Sequence, residues 1–247
     1  NAGHLRTRGW ELNVDYHHTF VDADNLTVHA NFNLADYKAT ITQWDSDSLI
    51  NVEYSGKEYG EIWGFETERY FNREDFNADG TPVEGVADQS KLSTNDLFVF
   101  GPGDIKFVDQ NGDGVIGWGD GKVNNHGDLV KIGNTTPRWQ YSFRLGAEWK
   151  GFDIDLFFQG VGKRDMWSPS AFVMPLTRGA DAIYAWQTDY ITEADYAAHK
   201  INQDAAYPRM WPGNAGQGVP GSSIIDAGKN NFYPQDKYLI NMAYLRL

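Results

Sequence analysis

The 247-residue sequence contains no cysteine. That excludes a disulfide framework, a thiolate nucleophile and a zinc–thiolate centre. No apolar run approaches the ~18 residues of a membrane-crossing helix. The opening Asn1-Ala-Gly-His-Leu-Arg6 lacks the apolar core of a signal peptide. Basic residues are scarce beside acidic ones, 21 against 34, for a formal charge of -13. That balance argues against a nucleic-acid partner or an anionic-membrane surface role, since both need a basic footprint. The missing apolar helix does not exclude a membrane, because barrel strands alternate and are polar on average. What the chain does have is aromatics, 9 Trp, 13 Tyr and 14 Phe, together with 26 Gly and only 4 Met. This mixture suits β structure better than a helix bundle.

Alternation at period two marks the strands. Over 9–20, Trp10, Leu12, Val14, Tyr16, His18 and Phe20 share one face, and Glu11, Asn13, Asp15, His17 and Thr19 the other. A polar turn at Asp22–Asn25 leads into a strand over 26–34, predicting an antiparallel hairpin. His17 and His18 point to opposite faces and cannot chelate together; they read as interfacial or lumen histidines. Alternation then fades. It returns most clearly over 137–150, where Trp139, Tyr141, Phe143, Leu145, Ala147 and Trp149 oppose a face carrying Arg138, Arg144, Glu148 and Lys150. Lys150-Gly151 reverses the chain into a strand over 152–162, and a last strand occupies 237–247.

The intervening stretches, about 36–136 and 163–236, read as long solvent-facing excursions. The second has prolines scattered through it and short helices expected around Asp181–Gln187 and after Thr192, where Asp195 stands in a capping position. Trp167, Trp186 and Trp211 lie in this excursion. They are read as packing the loop's own core, with sugar stacking or partner anchoring as the other reading.

Two arginines, a lysine and three carboxylates on one face of the 137–162 hairpin fit a packed sandwich poorly. An apolar face with aromatics near both ends, opposite a charged face, fits a barrel wall with lipid outside and water or a plug inside. The expected class is all-β: part of a transmembrane antiparallel β-barrel with long extracellular loops. Strands of about 9–11 residues can cross a bilayer when tilted. Short turns alternating with connections of tens of residues match the periplasmic and extracellular sides of such barrels. A soluble sheet with one wet face shows the same alternation.

One stretch carries possible site chemistry. Asp109, Asn111, Asp113, Gly114, Ile116 and Asp120 stand at positions 1, 3, 5, 6, 8 and 12 of a calcium-type loop. The ligands would be Asp109, Asn111, Asp113, the Val115 carbonyl and Asp120, with Asp120 standing where a longer Glu is usual. On these residues alone the loop is either a structural Ca2+ site or an Asp/Gly-rich turn. Asp75–Thr81 repeats the first half of the pattern and then fails at Pro82 and Val86, so a turn is the better reading than a second cation loop. No catalytic residue is expected. Glu61, Glu66 and Glu68 show no set pairing across a cleft, and there is no Gly-x-Ser-x-Gly or His-Glu-x-x-His motif.

Several motifs in order carry a resemblance: Arg8-Gly-Trp-Glu-Leu12, Asp36-Tyr-Lys38, Gly56-Lys-Glu-Tyr-Gly-Glu-Ile-Trp-Gly64, Gly103-Asp-Ile-Lys106, Asp109-Gln-Asn-Gly-Asp-Gly114, Ile132-Gly-Asn-Thr-Thr-Pro-Arg138, Lys150-Gly-Phe-Asp153, Phe157-Phe-Gln-Gly-Val-Gly162 and Tyr207-Pro-Arg209. Together they resemble the carboxy-terminal barrel portion of SusC/RagA-type TonB-dependent outer-membrane transporters. The chain departs from that family between Trp186 and Tyr207, where a Trp-Thr-Pro-Glu-Asn-Pro-like run is missing. The resemblance implies a bacterial outer-membrane location, a SusD-like surface lipoprotein as partner, and oligosaccharide or peptide as cargo. It also implies TonB coupling through an N-terminal plug portion that this stretch lacks, so the 247 residues are expected to be an excerpt of a longer protein. The alternative is a soluble calcium-dependent carbohydrate-binding β domain built on the same Asp109 loop and loop tryptophans.

Overall fold

A computed structural model describes residues 3–45, 49–93, 99–170, 172–175, 183–198, 200–210 and 230–247. Its largest element is a five-stranded antiparallel sheet in the order β1-β2-β7-β8-β11. Strand β1 spans Gly3–Phe20, β2 Leu26–Trp44, β7 Arg138–Trp149, β8 Phe152–Lys163 and β11 Tyr244–Arg246. Between them lie six short strands: β3 (Glu61–Gly64), β4 (Thr67–Tyr70), β5 (Ile105–Phe107), β6 (Val130–Asn134), β9 (Asp165–Met166) and β10 (Ile240–Asn241). They pair as β3–β6, β4–β5 and β9–β10. Among the described residues the one α-helical turn, α1, covers Glu193–Ala197 and is capped as expected, Asp195 accepting from the Thr192 amide (2.8 Å) and hydroxyl (2.6 Å). Among the described residues no helix is long and apolar enough to cross a membrane.

Tight turns fix the register at one end of the sheet. Asp24 and Asn25 adopt left-handed backbone after β1, and Lys150 with Gly151 do so between β7 and β8. Asn, Asp and Gly tolerate that region best, and such turns match the twist of a hairpin. Opposed residues then share faces. Leu12 faces Leu34, Val14 faces Phe32, Phe32 faces Phe143, and Phe143 stacks on Phe158 at 4.6 Å. Trp10 and Trp139 stand toward one end of this apolar stripe, and Phe20, Trp149 and Phe152 at the other.

The opposite face carries a polar ladder. Asn31 donates to Asp15 (2.9 Å), and Arg144 Nε donates to both oxygens of Asp155 (2.8 Å). His29 Nε2 lies 3.7 Å from Asp155. A Cβ on Gly146 would fall 2.1 Å from His29 Nε2, so only glycine admits the imidazole there. His17 opposes His29 on the polar face, while His18 packs against Phe20 on the apolar one.

Three expectations need correction. First, β1 and β2 run well beyond 9–20 and 26–34, to Gly3 and Trp44, so the first excursion begins near residue 45 rather than 36. The extra residues include Arg6, Arg8 and Lys38 at apolar-face positions, which broke the alternation by type. Second, 237–247 is not one strand. Ile240–Asn241 joins β9, and only Tyr244–Arg246 joins the large sheet. Third, the excursions are not merely extended. They hold a shared hydrophobic core that includes Phe65, Tyr70, Phe71, Ile105, Phe107, Ile116 and Ile191. Their strands are only two to five residues long, so no period-two signal could develop.

Phe65 is fully buried against Phe107 (4.9 Å) and Trp118 (4.7 Å). Every described residue of that core cluster comes from the excursions and none from the long strands. The loop module has its own interior; the apolar face of the sheet does not.

Candidate functional site

The end of the sheet that carries the long connections is where charged residues from distant motifs meet. Arg138 grips Asp36 with two 2.5 Å hydrogen bonds from Nε and Nη2, a bidentate pairing that fixes both planes. Glu58 lies 3.2 Å from Lys38 and 3.8 Å from Arg138. Glu61, with a nearly inaccessible side chain, pairs with Lys131 at 2.8 Å and accepts from the Trp63 indole (2.8 Å) and the Tyr54 hydroxyl. Burial pushes the Glu61 carboxyl upward, but the Lys131, Tyr54 and Trp63 hydrogen bonds overcome it and hold the group below the usual carboxylate range. Burial, then the Glu61 carboxylate, push the Tyr54 hydroxyl well above the ordinary tyrosine value.

A second clasp ties the two excursions together. Asp104 is fully buried and accepts from Arg209 Nε (2.9 Å) and Nη2 (2.5 Å), Asn231 Nδ2 (2.8 Å) and the Gly101 amide (2.9 Å). The sequence motifs are thus contact partners. Asp36-Tyr-Lys38 meets Ile132–Arg138, and Gly103–Lys106 meets Tyr207–Arg209.

The Asp109 loop is a closed set of carboxylate-to-amide turns. Asp109 accepts from the Gly112 amide at 2.7 Å and the Gly114 amide at 2.8 Å. Asn111 accepts from the Asp113 amide and Asp113 from the Val115 amide, both at 2.8 Å. Gly112 and Gly114 take left-handed backbone, as the turning positions require. Ile116 is fully buried and anchors the loop to the module's core, its amide reaching the Asp88 carbonyl at 2.9 Å. Asp120 accepts from the Lys122 amide at 3.3 Å. Asp109, Asn111 and Asp113 therefore lie on one turn. Among the described residues no three His, Asp or Glu side chains gather as a metal cluster does.

The residue that sequence reasoning missed is Asp128. It is fully buried and joins both ends of the loop, accepting from the Gln110 amide (2.9 Å) and the Gly117 amide (2.7 Å). It stands outside the twelve-residue pattern, and no spacing in the sequence marks it.

Glu66 accepts from Gln110 (2.8 Å), Glu68 pairs with Lys106 (2.9 Å) and Glu61 with Lys131, so each of these carboxylates has a different partner. Of the loop tryptophans, Trp167 is half-buried. Trp186 is exposed and stacks on Tyr184 at 4.7 Å, which corrects the expectation of a core role for it. Trp211 and residues 181–182 lie outside the described residues, and the rest of the expected 181–187 helix is a single 3-10 turn at Ala185–Gln187.

No family model matches the chain, and no curated protein matches it. Among solved structures, the whole chain superposes on part of the structure of the RagAB peptide transporter, with a TM-score of 0.54 and 17% identity. The similarity is one of fold. The chain spans 22% of the length of that transporter chain. An antiparallel sheet with long structured connections at one end is thus an arrangement known from a transport protein.

Proposed function

We propose that this chain forms wall and outer mouth of a TonB-dependent outer-membrane transporter, a β-barrel importer that works with a SusD-like surface lipoprotein and takes up oligosaccharide or peptide. The observation that carries this reading is the inversion of burial. The sheet turns a continuous apolar stripe outward, including Leu12, Val14, Leu145 and Ile154 at about half exposure, while the core lies in the connections at one end. From Trp10 to Phe20 the stripe extends, at ~3.3 Å per residue and ~40° tilt, about 25 Å along the normal, the height of a barrel's apolar band. The polar ladder of Asp15, His29, Arg144 and Asp155 then faces the lumen. The fold similarity to a transporter segment supports the same assignment.

In this reading the protein breaks no bond, and its residues serve to line, brace and admit. The Asp109 loop belongs to the mouth. A calcium ion there would reinforce a turn that its own amides already close, using oxygens of Asp109, Asn111 and Asp113, the Val115 carbonyl and Asp120. Partitioning tests the core of the proposal. The native protein containing this stretch should require detergent for extraction and show a heat-dependent electrophoretic mobility; solubility without detergent would sink it.

A further inference from the structure

The formal charge of -13 conceals a local reversal. Even-numbered residues of β1 point to the apolar face, and below Trp10 in number that face continues into Arg8 and Arg6. Lys38 stands directly opposite Arg8, and Thr40 opposite Arg6. These side chains line an open groove of about 450 Å³ with Trp10 and Arg138. The acidic residues nearby are already engaged: Asp36 by Arg138, and Glu58 by Lys38 and Arg138. Neither Arg6 nor Arg8 has a carboxylate within 4.0 Å among the described residues, and both are exposed. Among the described residues these two arginines of an acidic protein have no carboxylate counter-ion.

We propose that this groove binds the phosphate of an anionic lipid headgroup in the outer leaflet. The inference rests on the barrel reading above, which makes the apolar face the lipid-facing one. At ~3.3 Å per residue and ~40° tilt, Arg8 and Arg6 stand about 5 and 10 Å beyond Trp10, where the hydrocarbon ends and headgroups begin. Guanidinium groups match phosphate oxygens bidentately, and their apolar stems can lie along the stripe while the charged ends reach the headgroup layer. The Trp10 indole marks the lower edge of the groove, as aromatic residues do at barrel interfaces. A soluble anion would find the same charges without the apolar surface alongside; a lipid satisfies both.

The test uses the native protein in phosphatidylcholine vesicles doped with lipid A, compared with vesicles doped with dephosphorylated lipid A. Retention of lipid on the detergent-extracted protein is then read by native mass spectrometry. Wild type should retain the phosphorylated form selectively. Each basic residue near an anionic surface contributes roughly a fivefold factor, so Arg6→Gln/Arg8→Gln should bind about 30-fold more weakly, while Arg6→Lys/Arg8→Lys keeps most of the binding. Equal retention by the glutamine variant, equal retention of the dephosphorylated lipid, or displacement by millimolar inorganic phosphate overturns the inference. Entry into phosphatidylcholine vesicles with no preference for lipid A overturns this inference alone. Failure to enter any vesicle overturns the barrel reading with it.

Discussion

The large sheet and the loop module bury their apolar side chains in opposite ways. Leu12, Val14, Leu145 and Ile154 in the sheet stand about half exposed, whereas Phe65, Ile105, Phe107 and Ile116 in the module are at or near full burial. Each half-exposed strand residue is paired through its backbone and across the face, yet has nothing above it. The module residues have neighbours on all sides. Water as the only solvent explains the second pattern and not the first, since a contiguous apolar surface of this extent is unfavourable in water. The difference is what the proposed barrel would require, one chain folded for two solvents, with the change of solvent near Trp10 and Trp139.

The strongest way to break the comparison is inside the module. Phe65→Ala should destabilise it by roughly 3–5 kcal/mol through lost transfer energy and a cavity. Limited proteolysis should then cut within the loops while the long strands remain protected; parallel loss of both would mean that the two regions share one interior. A charge placed on the stripe tests the other side. Leu145→Arg should cost about 2–4 kcal/mol in a bilayer, measured by reversible unfolding from vesicles. In a soluble sheet the same change at a half-exposed site would be close to neutral, so the sign and size decide which solvent the stripe meets.

Smaller effects map the module's fastenings. Asp128→Ala removes the acceptor for two loop amides and should cost about 1–3 kcal/mol, seen as faster hydrogen exchange at Gln110 and Gly117. Acid should loosen the module through Glu61. Its folded carboxyl lies below its unfolded value, so its stabilisation is full above that unfolded value and is lost as pH falls through the folded one. Glu61→Gln should flatten the acid limb of a melting-temperature profile. Asp113→Ala should have the least effect, since one exposed amide contact is worth about 1 kcal/mol or less. A chelator should change loop cleavage by no more than that variant does.

Legibility in the sequence followed period and length. The 138–149 strand showed itself because it is twelve residues of unbroken alternation, and the 152–163 strand because it follows across the Lys150-Gly151 turn and alternates from Phe152 to Leu156. Gly3–Arg8 stayed hidden because Arg6 and Arg8 occupy outward positions where an apolar residue was awaited. The module's core was invisible for a different reason: Phe65, Phe107 and Ile191 lie on pieces too short to have a period and come together only through tertiary pairing. Asp109 and Asp113 could be read from spacing. Asp128 could not, since its role depends on the chain returning past Gly117 after a turn that no short motif encodes.

The connections between sheet and module carry a mechanical consequence. The chain passes between the two at four places: after β2, through residues 135–137 into β7, through Arg164 after β8, and through Met242 and Ala243 into β11. Three of these tethers are one to three residues long and rise from different strands, so no single axis runs through them all. A body held by several short legs cannot tip like a hinged cover. The module therefore moves with the sheet as a fixed turret, and if the chain is part of a transporter as proposed, whatever opens a path for cargo must be some other moving part.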